Sequence, residues 1–123
     1  MARSYRELLV WQKAKALAVM VYRDTGLFPK AELYGLTSQM RRSAVSVPSN
    51  IAEGQGRLTP GEFQQFLGHA RGSLLELDTQ LAIAHDLGYF SDAVHSKLDQ
   101  EAYQVLGLLN RLLESIKAKS SLP

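Results

Sequence analysis

Three observations predict an all-α chain folded as an antiparallel, up-and-down four-helix bundle. Apolar residues recur at helical period through four long segments, with no alternating strand pattern. The 4 prolines and 9 glycines fall mostly between those segments. The three connections they mark are short, which favours antiparallel neighbours. An extended coiled coil would carry the same seams, but the breaks at Gly26–Pro29, Gly54–Pro60 and Gly88–Ser91 argue against it.

The first helix is expected from Arg6 to Thr25, with Val10, Ala14, Leu17 and Val21 as its seam and Gly26 and Pro29 ending it. The second begins at Leu36 or Thr37 and carries Met40, Ala44, Val47 and Ile51 on one face. Pro48 lies inside it and should kink it, because proline removes one backbone bond and crowds the carbonyl of Ala44. Gly54, Gln55 and Gly56 are read as its close.

The third helix has the clearest start. Thr59 is the expected N-cap, Pro60 the first helical residue, and Glu62 the partner that completes a capping box. Phe63, Leu67, Ala70, Leu74, Leu77, Leu81 and Ala84 then form an unbroken seam up to Gly88. Ser91 is the expected cap of the fourth helix, whose seam is Val94, Leu98, Ala102, Val105, Leu109, Leu112 and Ile116. These last two helices, each roughly 40 Å long at 1.5 Å per residue, should form the spine, with the first two packed across them.

At 123 residues the chain suits one core and is read as one domain, with short flexible ends at about 1–5 and 119–123. Hydrophobic residues at 46% and charged residues at 21% place it among globular chains rather than disordered ones. With no cysteine, disulfide scaffolds, cysteine nucleophiles and cysteine-ligated metals are excluded. No window approaches the roughly 18 uncharged apolar residues of a membrane span, and no clean secretory core opens the chain. A cytoplasmic protein is the expectation.

The net charge of +2 is unevenly distributed. Residues 1–57 hold nine Lys/Arg against four Asp/Glu, while residues 58–123 hold five against eight. A basic half beside an acidic half points to a polar partner or to head-to-tail self-association, and is equally compatible with two solvated surfaces.

Enzyme motifs are missing. Gly54, Gly56 and Gly61 are misplaced for a phosphate loop and no GK[ST] follows; helix breaking and capping accounts for them. Asp92 and His95 make one acidic-x-x-His pair where a di-iron bundle needs two Glu-x-x-His motifs and further carboxylates. Asp92 instead suits the dipole at the start of the fourth helix. There is no G-x-S-x-G elbow. Neither catalysis, nor a metal, nor a cofactor is expected.

The second helix is the odd element. Opposite its apolar face runs a polar stripe of Gln39, Arg42, Ser46, Ser49, Asn50, Glu53 and Arg57, rich in mediocre helix formers. In one reading Glu53 pairs with Arg57 at i,i+4 while Ser49 and Asn50 satisfy carbonyls freed around Pro48. In the other, the small polar residues admit another chain and the arginines bind an anion.

Gly35 and Leu36, the run Gln39-Met40-Arg41-Arg42, the run Ser49-Asn50-Ile51-Ala52-Glu53-Gly54, and Gly56 with Arg57 together resemble the signature of the 23S rRNA-intervening-sequence, or four-helix-bundle, family. Val10 and Trp11, Phe66 and Leu67, Gly72 to Leu74, and Leu87 to Tyr89 extend the resemblance over roughly residues 5–118. Ser49, Asn50, Glu53, Gly54 and Gly56 are its motif residues here. The family is similar to the accessory variability proteins of diversity-generating retroelements. That likeness implies a barrel-shaped homopentamer that binds nucleic acid and a protein partner such as a reverse transcriptase.

Self-association is also read from the residues. Ala102 to Asn110 carry no charge, and Leu106 and Leu108 lie outside the bundle seam, so the fourth helix should be buried on more than one side. Gly107 would permit close helix approach, and Trp11 is a second surplus apolar position suited to anchor an interface; the alternative is that these residues cover the ends of a well-filled monomer core. Two function classes follow. One is a nucleic-acid-binding oligomer, RNA or DNA, with phosphate contacts from Lys13, Lys15, Arg23, Arg41, Arg42 and Arg57. The other is a protein-interaction scaffold. No aromatic platform of the single-strand-binding type is evident at this level.

Overall fold

The computed structural model describes residues 4–120, so the expected chain ends at 1–3 and 121–123 lie outside the described residues. Four helices follow one another: α1 (Leu9–Thr25), α2 (Leu36–Gln55), α3 (Pro60–Asp86) and α4 (Asp92–Ser120). No strand occurs among the described residues. Helix α1 packs on α2 and α4, and α3 packs on α2 and α4, while the diagonal pairs do not meet. This is the square of an antiparallel up-and-down bundle.

The core is built from the four seams. Val10, Ala14, Leu17 and Val21 of α1 meet Met40, Ala44, Val47 and Ile51 of α2. Leu67 to Ala84 of α3 and Leu98 to Leu109 of α4 close the square, with all of these seam residues buried. Phe63 and Val94, at the outer ends of their seams, and Leu112 are half-buried against that cluster, and Ile116 beyond Leu112 is buried.

The helix ends obey local chemistry. Thr59 takes an extended conformation and its Oγ1 accepts from the Glu62 backbone N–H at 3.2 Å, with Pro60 at the first helical position. Only half of the expected capping box forms: the Thr59 hydroxyl donates to Glu62 Oε1, also at 3.2 Å. Ser91 Oγ accepts from Val94 N at 3.2 Å and starts α4. Helix α3 ends in a Schellman turn. Tyr89 N reaches Ala84 O at 2.9 Å, Gly88 N reaches His85 O at 3.0 Å, and Gly88 supplies the φ of +79° that the turn requires.

Several expectations are corrected. The first helix does not start at Arg6. Ser4 caps a 3₁₀ turn, Tyr5–Glu7, and Leu8 then adopts an extended conformation, so the α-helix starts at Leu9. The Gln12 amide stabilises this break by donating to Arg6 O at 2.8 Å. Nor are α3 and α4 the spine, because the most extensive pairing is α2 on α3.

Gly54 shows why. It is buried inside α2 rather than closing it, and a Cβ placed there would stand 2.7 Å from Phe66 Cβ and 3.0 Å from Phe63 Cδ1. The missing side chain lets the α3 aromatics lie against the α2 backbone. The helix ends one turn-residue later, at Gln55, with Gly56 as the C-cap.

Candidate nucleic-acid interface

The expected phosphate ligands do not form one patch. Helix α1 turns Lys15, Tyr22 and Arg23 towards its outer edge with α2. There Ala18, Val45 and Pro48 complete a shallow apolar groove of about 460 Å³. Tyr22 and Val45 are shared with an adjoining groove of about 650 Å³, lined also by Leu33, Tyr34, Arg41 and Arg42. Lys15, Arg23, Arg41 and Arg42 therefore border one continuous basic surface on the α1–α2 face.

Lys13 and Arg57 are outside both grooves. Lys13 is two positions before Lys15 on α1, a turn of about 200°, which carries it to the α4 side. Arg57 lies past the end of α2, at the opposite end of that helix from Arg41 and Arg42, with its guanidinium 4.5 Å over the Phe66 ring. The expected Glu53–Arg57 pair is thereby replaced. The i,i+4 spacing holds only inside a helix, and Arg57 follows the Gly56 cap.

The two neighbouring arginines have different duties. Arg41 Nε donates to Thr25 Oγ1 at 3.0 Å, one of its terminal nitrogens donates to Tyr22 O at 3.2 Å, and its plane lies 4.8 Å over the Tyr22 ring. It clasps the C-terminal turn of α1, where carbonyls lack helical partners and a cation is favoured. Thr25 Oγ1 in turn donates back to Val21 O at 2.7 Å. Arg42 is exposed and makes a single long contact, 3.4 Å to Ser38 Oγ.

Sequence reasoning missed the aromatic members of this face. Tyr34 is 93% exposed and Tyr22 46%. Tyr22 sits one heptad after Lys15, on the same stripe of α1 and outside the core seam, which was the available signal. Tyr34 sits in the α1–α2 connection, where periodicity says nothing. That connection is pinned on both sides. Phe28 is buried against Tyr89 and Phe90, with ring centroids 5.1 and 4.9 Å away. Glu32 accepts from the Tyr89 hydroxyl at 2.8 Å and from Leu36 N at 3.3 Å. Bonding to the Glu32 carboxylate raises the Tyr89 hydroxyl above its usual 10.0.

The family-motif residues divide: Gly54 packs on α3, Asn50 bonds within α2, and Ser49, Glu53 and Gly56 are exposed. Ser46 Oγ shares a 2.8 Å hydrogen bond with Ser73 Oγ of α3. Asn50 donates from Nδ2 to Ser46 O at 2.8 Å and Ser46 Oγ at 2.9 Å, just beside buried Pro48. Asn50 therefore bonds its own helix at Ser46 and not the Ala44 carbonyl that Pro48 leaves without its helical donor, whereas Ser49 and Glu53 face solvent. The proposed interface residues are also engaged within the chain. Trp11 is half-buried, edge-on to Tyr5 at 5.1 Å, with Arg6 and Lys15 over its faces. Leu106 and Leu108 are half-buried on the core, and no atom comes within 4 Å of a Cβ built on Gly107.

A second polar cluster lies on the α3–α4 seam. His85 Nε2 meets Asp92 Oδ1 at 2.6 Å, so Asp92 pairs across the turn besides sitting in the first turn of α4. The His85 and His95 rings stack at 4.2 Å. Burial, then the hydrogen bond and charge of Asp99, hold the Asp78 carboxyl above 3.8, with His95 pulling the other way. No group of three potential metal ligands forms among the described residues, and no helix there is long and apolar enough to cross a membrane.

Comparison with known proteins addresses the fold. The chain is similar to a protein of unknown function from the S23 ribosomal protein family of Bacteroides thetaiotaomicron VPI-5482. The TM-score is 0.79 at 20% identity, covering 86% of this chain and 96% of that one. No curated protein matches by sequence. The family model described as 23S rRNA-intervening sequence protein matches residues 6–111, the span that contains all four helix seams up to Leu109 and the Asn50–Gly54 packing motif. This chain therefore belongs to the 23S rRNA-intervening sequence protein family.

Proposed function

We propose that this chain is a non-enzymatic, cytoplasmic, homo-oligomeric protein that binds nucleic acid through the α1–α2 face. The observation that carries the reading is the convergence of Lys15, Arg23, Arg41 and Arg42 around grooves that share Tyr22 and Val45. Cations supply sequence-independent phosphate contacts, and the open groove leaves them reachable. The oligomer is supported by charge: α1 and α2 carry the basic half of the chain and α3 and α4 the acidic half, on opposite sides of the square. Opposite-signed sides favour a head-to-tail contact, which closes into a ring when its rotation allows. A ring would present the same basic face several times and multiply a weak contact. Five subunits is the number implied by resemblance.

The test is a fluorescence-anisotropy titration of labelled RNA and DNA at several salt concentrations, with light scattering on the same samples. Binding should weaken steeply with salt, by about 0.7 in log–log slope per phosphate contact on single strands. Arg42→Ala should reduce that slope with the oligomer intact, because Arg42 holds nothing else in place. Half-exposed Val19, Val45 and Leu33 on the same face favour a second reading, a scaffold that docks a partner protein. Absence of binding at low salt would transfer the case to it.

A further inference from the structure

We infer that the Tyr22–Tyr34 end of this face is a single-strand site, in which an unpaired base stacks on Tyr34 and the adjoining phosphate meets Arg42. The inference rests on the nucleic-acid reading and adds the strandedness and the contacts. Tyr34 presents nearly its whole ring to solvent, at 93% exposed, on the wall of the groove that Arg41 and Arg42 also line. A ring of this kind takes any base by its face, provided the base is not already stacked inside a duplex.

The platform is preorganised. The connection that carries Tyr34 is fixed at Phe28 by the Tyr89 and Phe90 rings, and at Glu32 by bonds to the Tyr89 hydroxyl and to Leu36 N. Gly35 follows directly, and a Cβ there would stand 2.8 Å from Glu32 Oε1, so a side chain at this position would displace the carboxylate that ties the connection to Tyr89 and Leu36. A connection already fixed beneath the ring forfeits less freedom on binding than a mobile one, which favours affinity from a small contact.

The charges are arranged to match. Arg41 is locked by Thr25 and Tyr22 and contributes a stationary positive charge to the groove wall. Arg42, exposed and held by one 3.4 Å contact, is free to reach a phosphate. The 650 Å³ groove between these arginines and Tyr34 is open and nucleotide-sized, with Leu33 and Val45 supplying apolar wall for a base or sugar. Ring, apolar wall and mobile cation are the parts that a flexible strand uses and a stacked duplex does not.

The experiment compares labelled 12-nucleotide single strands of RNA and of DNA, the corresponding duplexes, and a single strand whose bases are removed, each titrated at low salt. Tyr34→Ala, Tyr34→Phe and Arg42→Ala are measured beside the parent, with circular dichroism confirming the same helix content. Single strands should bind tighter than duplexes. Tyr34→Ala should weaken them about 5- to 150-fold, the range expected from losing one stacked base, and Tyr34→Phe should restore most of the loss. The base-free strand should bind weakly and ignore the Tyr34 substitutions. RNA against DNA shows which sugar the site prefers. Equal affinity for duplex or base-free strand, or an unchanged Tyr34→Ala, overturns the single-strand inference while salt-steep, Arg42-dependent binding keeps the broader reading. Absence of binding to every probe overturns both.

Discussion

Gly54 and Phe66 approach so closely that a Cβ on the glycine would stand 2.7 Å from Phe66 Cβ. The absence of one methyl group thus sets the α2–α3 distance. Gly54→Ala should lower stability, because overpacking at about 1–3 kcal/mol outweighs the roughly 1 kcal/mol that alanine gains in helix propensity. A thermal melt followed by circular dichroism should show a midpoint several degrees lower. An unchanged or higher midpoint would mean that α3 gives way easily.

Gly107→Ala is the matching case with the opposite sign. Nothing lies within 4 Å of its Cβ position, so the propensity gain of up to about 1 kcal/mol should appear as a higher midpoint. Light scattering on the same variant reads whether a second copy approaches at this glycine. A smaller assembly from a more stable chain would place Gly107 in the interface.

Arg41 and Arg42 should separate in denaturation. Arg41→Ala removes the bonds to Thr25 and Tyr22 and the cation at the end of α1, an expected loss of about 1–2 kcal/mol. Lysine should not rescue it, since an ammonium cannot reproduce the two-pronged, stacked geometry. Arg42→Ala should stay within about 0.5 kcal/mol of the parent in urea unfolding.

The Asp78–Asp99 pair gives a pH signature. Asp78 is held above 3.8 in the folded state, so its contribution to stability is present below 3.8 and is lost as pH rises through the folded value. At pH 7 the two carboxylates repel. Asp99→Asn should therefore stabilise the fold at pH 7 by about 0.2–0.5 kcal/mol, a size limited by solvent screening, with the advantage shrinking towards pH 3. Urea unfolding at pH 3, 5 and 7 checks the trend.

Tyr89 supplies the alkaline counterpart. Its hydroxyl is raised above 10.0 by the bond to Glu32, so the contribution is complete below pH 10 and lost as pH climbs through the folded value. Tyr89→Phe should loosen the α1–α2 connection at neutral pH, seen as faster hydrogen exchange at Leu36 N with the four helices intact.

Much of this architecture was legible in the sequence because its causes are local. A four-three apolar period places Val10 to Val21, Met40 to Ile51 and the longer α3 and α4 seams on single stripes, which the bundle buries. Thr59 and Ser91 were readable as caps for the same reason, since each bonds an amide three residues on. What escaped depends on contacts distant in sequence. A glycine that ends a helix and one that admits a neighbour look alike until Phe63 and Phe66 of α3 are in place, so Gly54 was misread. Arg41 and Arg42 are adjacent, yet a rotation of about 100° sends one onto α1 and leaves the other in solvent. Tyr34 lies in a connection without period, and Glu32 and Phe28, tied to residues after α3, help fix where it stands.

The square arrangement of helices also dictates an order of assembly. Helices α2 and α3 are joined by the short link from Gly56 to Thr59 and form the most extensive helix pairing, so their hairpin brings its partners together at small loop-closure cost. Contact of α1 with α4 joins opposite ends of the chain and carries the largest closure entropy. The α2–α3 hairpin is thereby the expected folding nucleus, and the α1–α4 edge the last to zip. Gly54→Ala would then slow folding, whereas truncations along the α1–α4 edge would act on the unfolding rate.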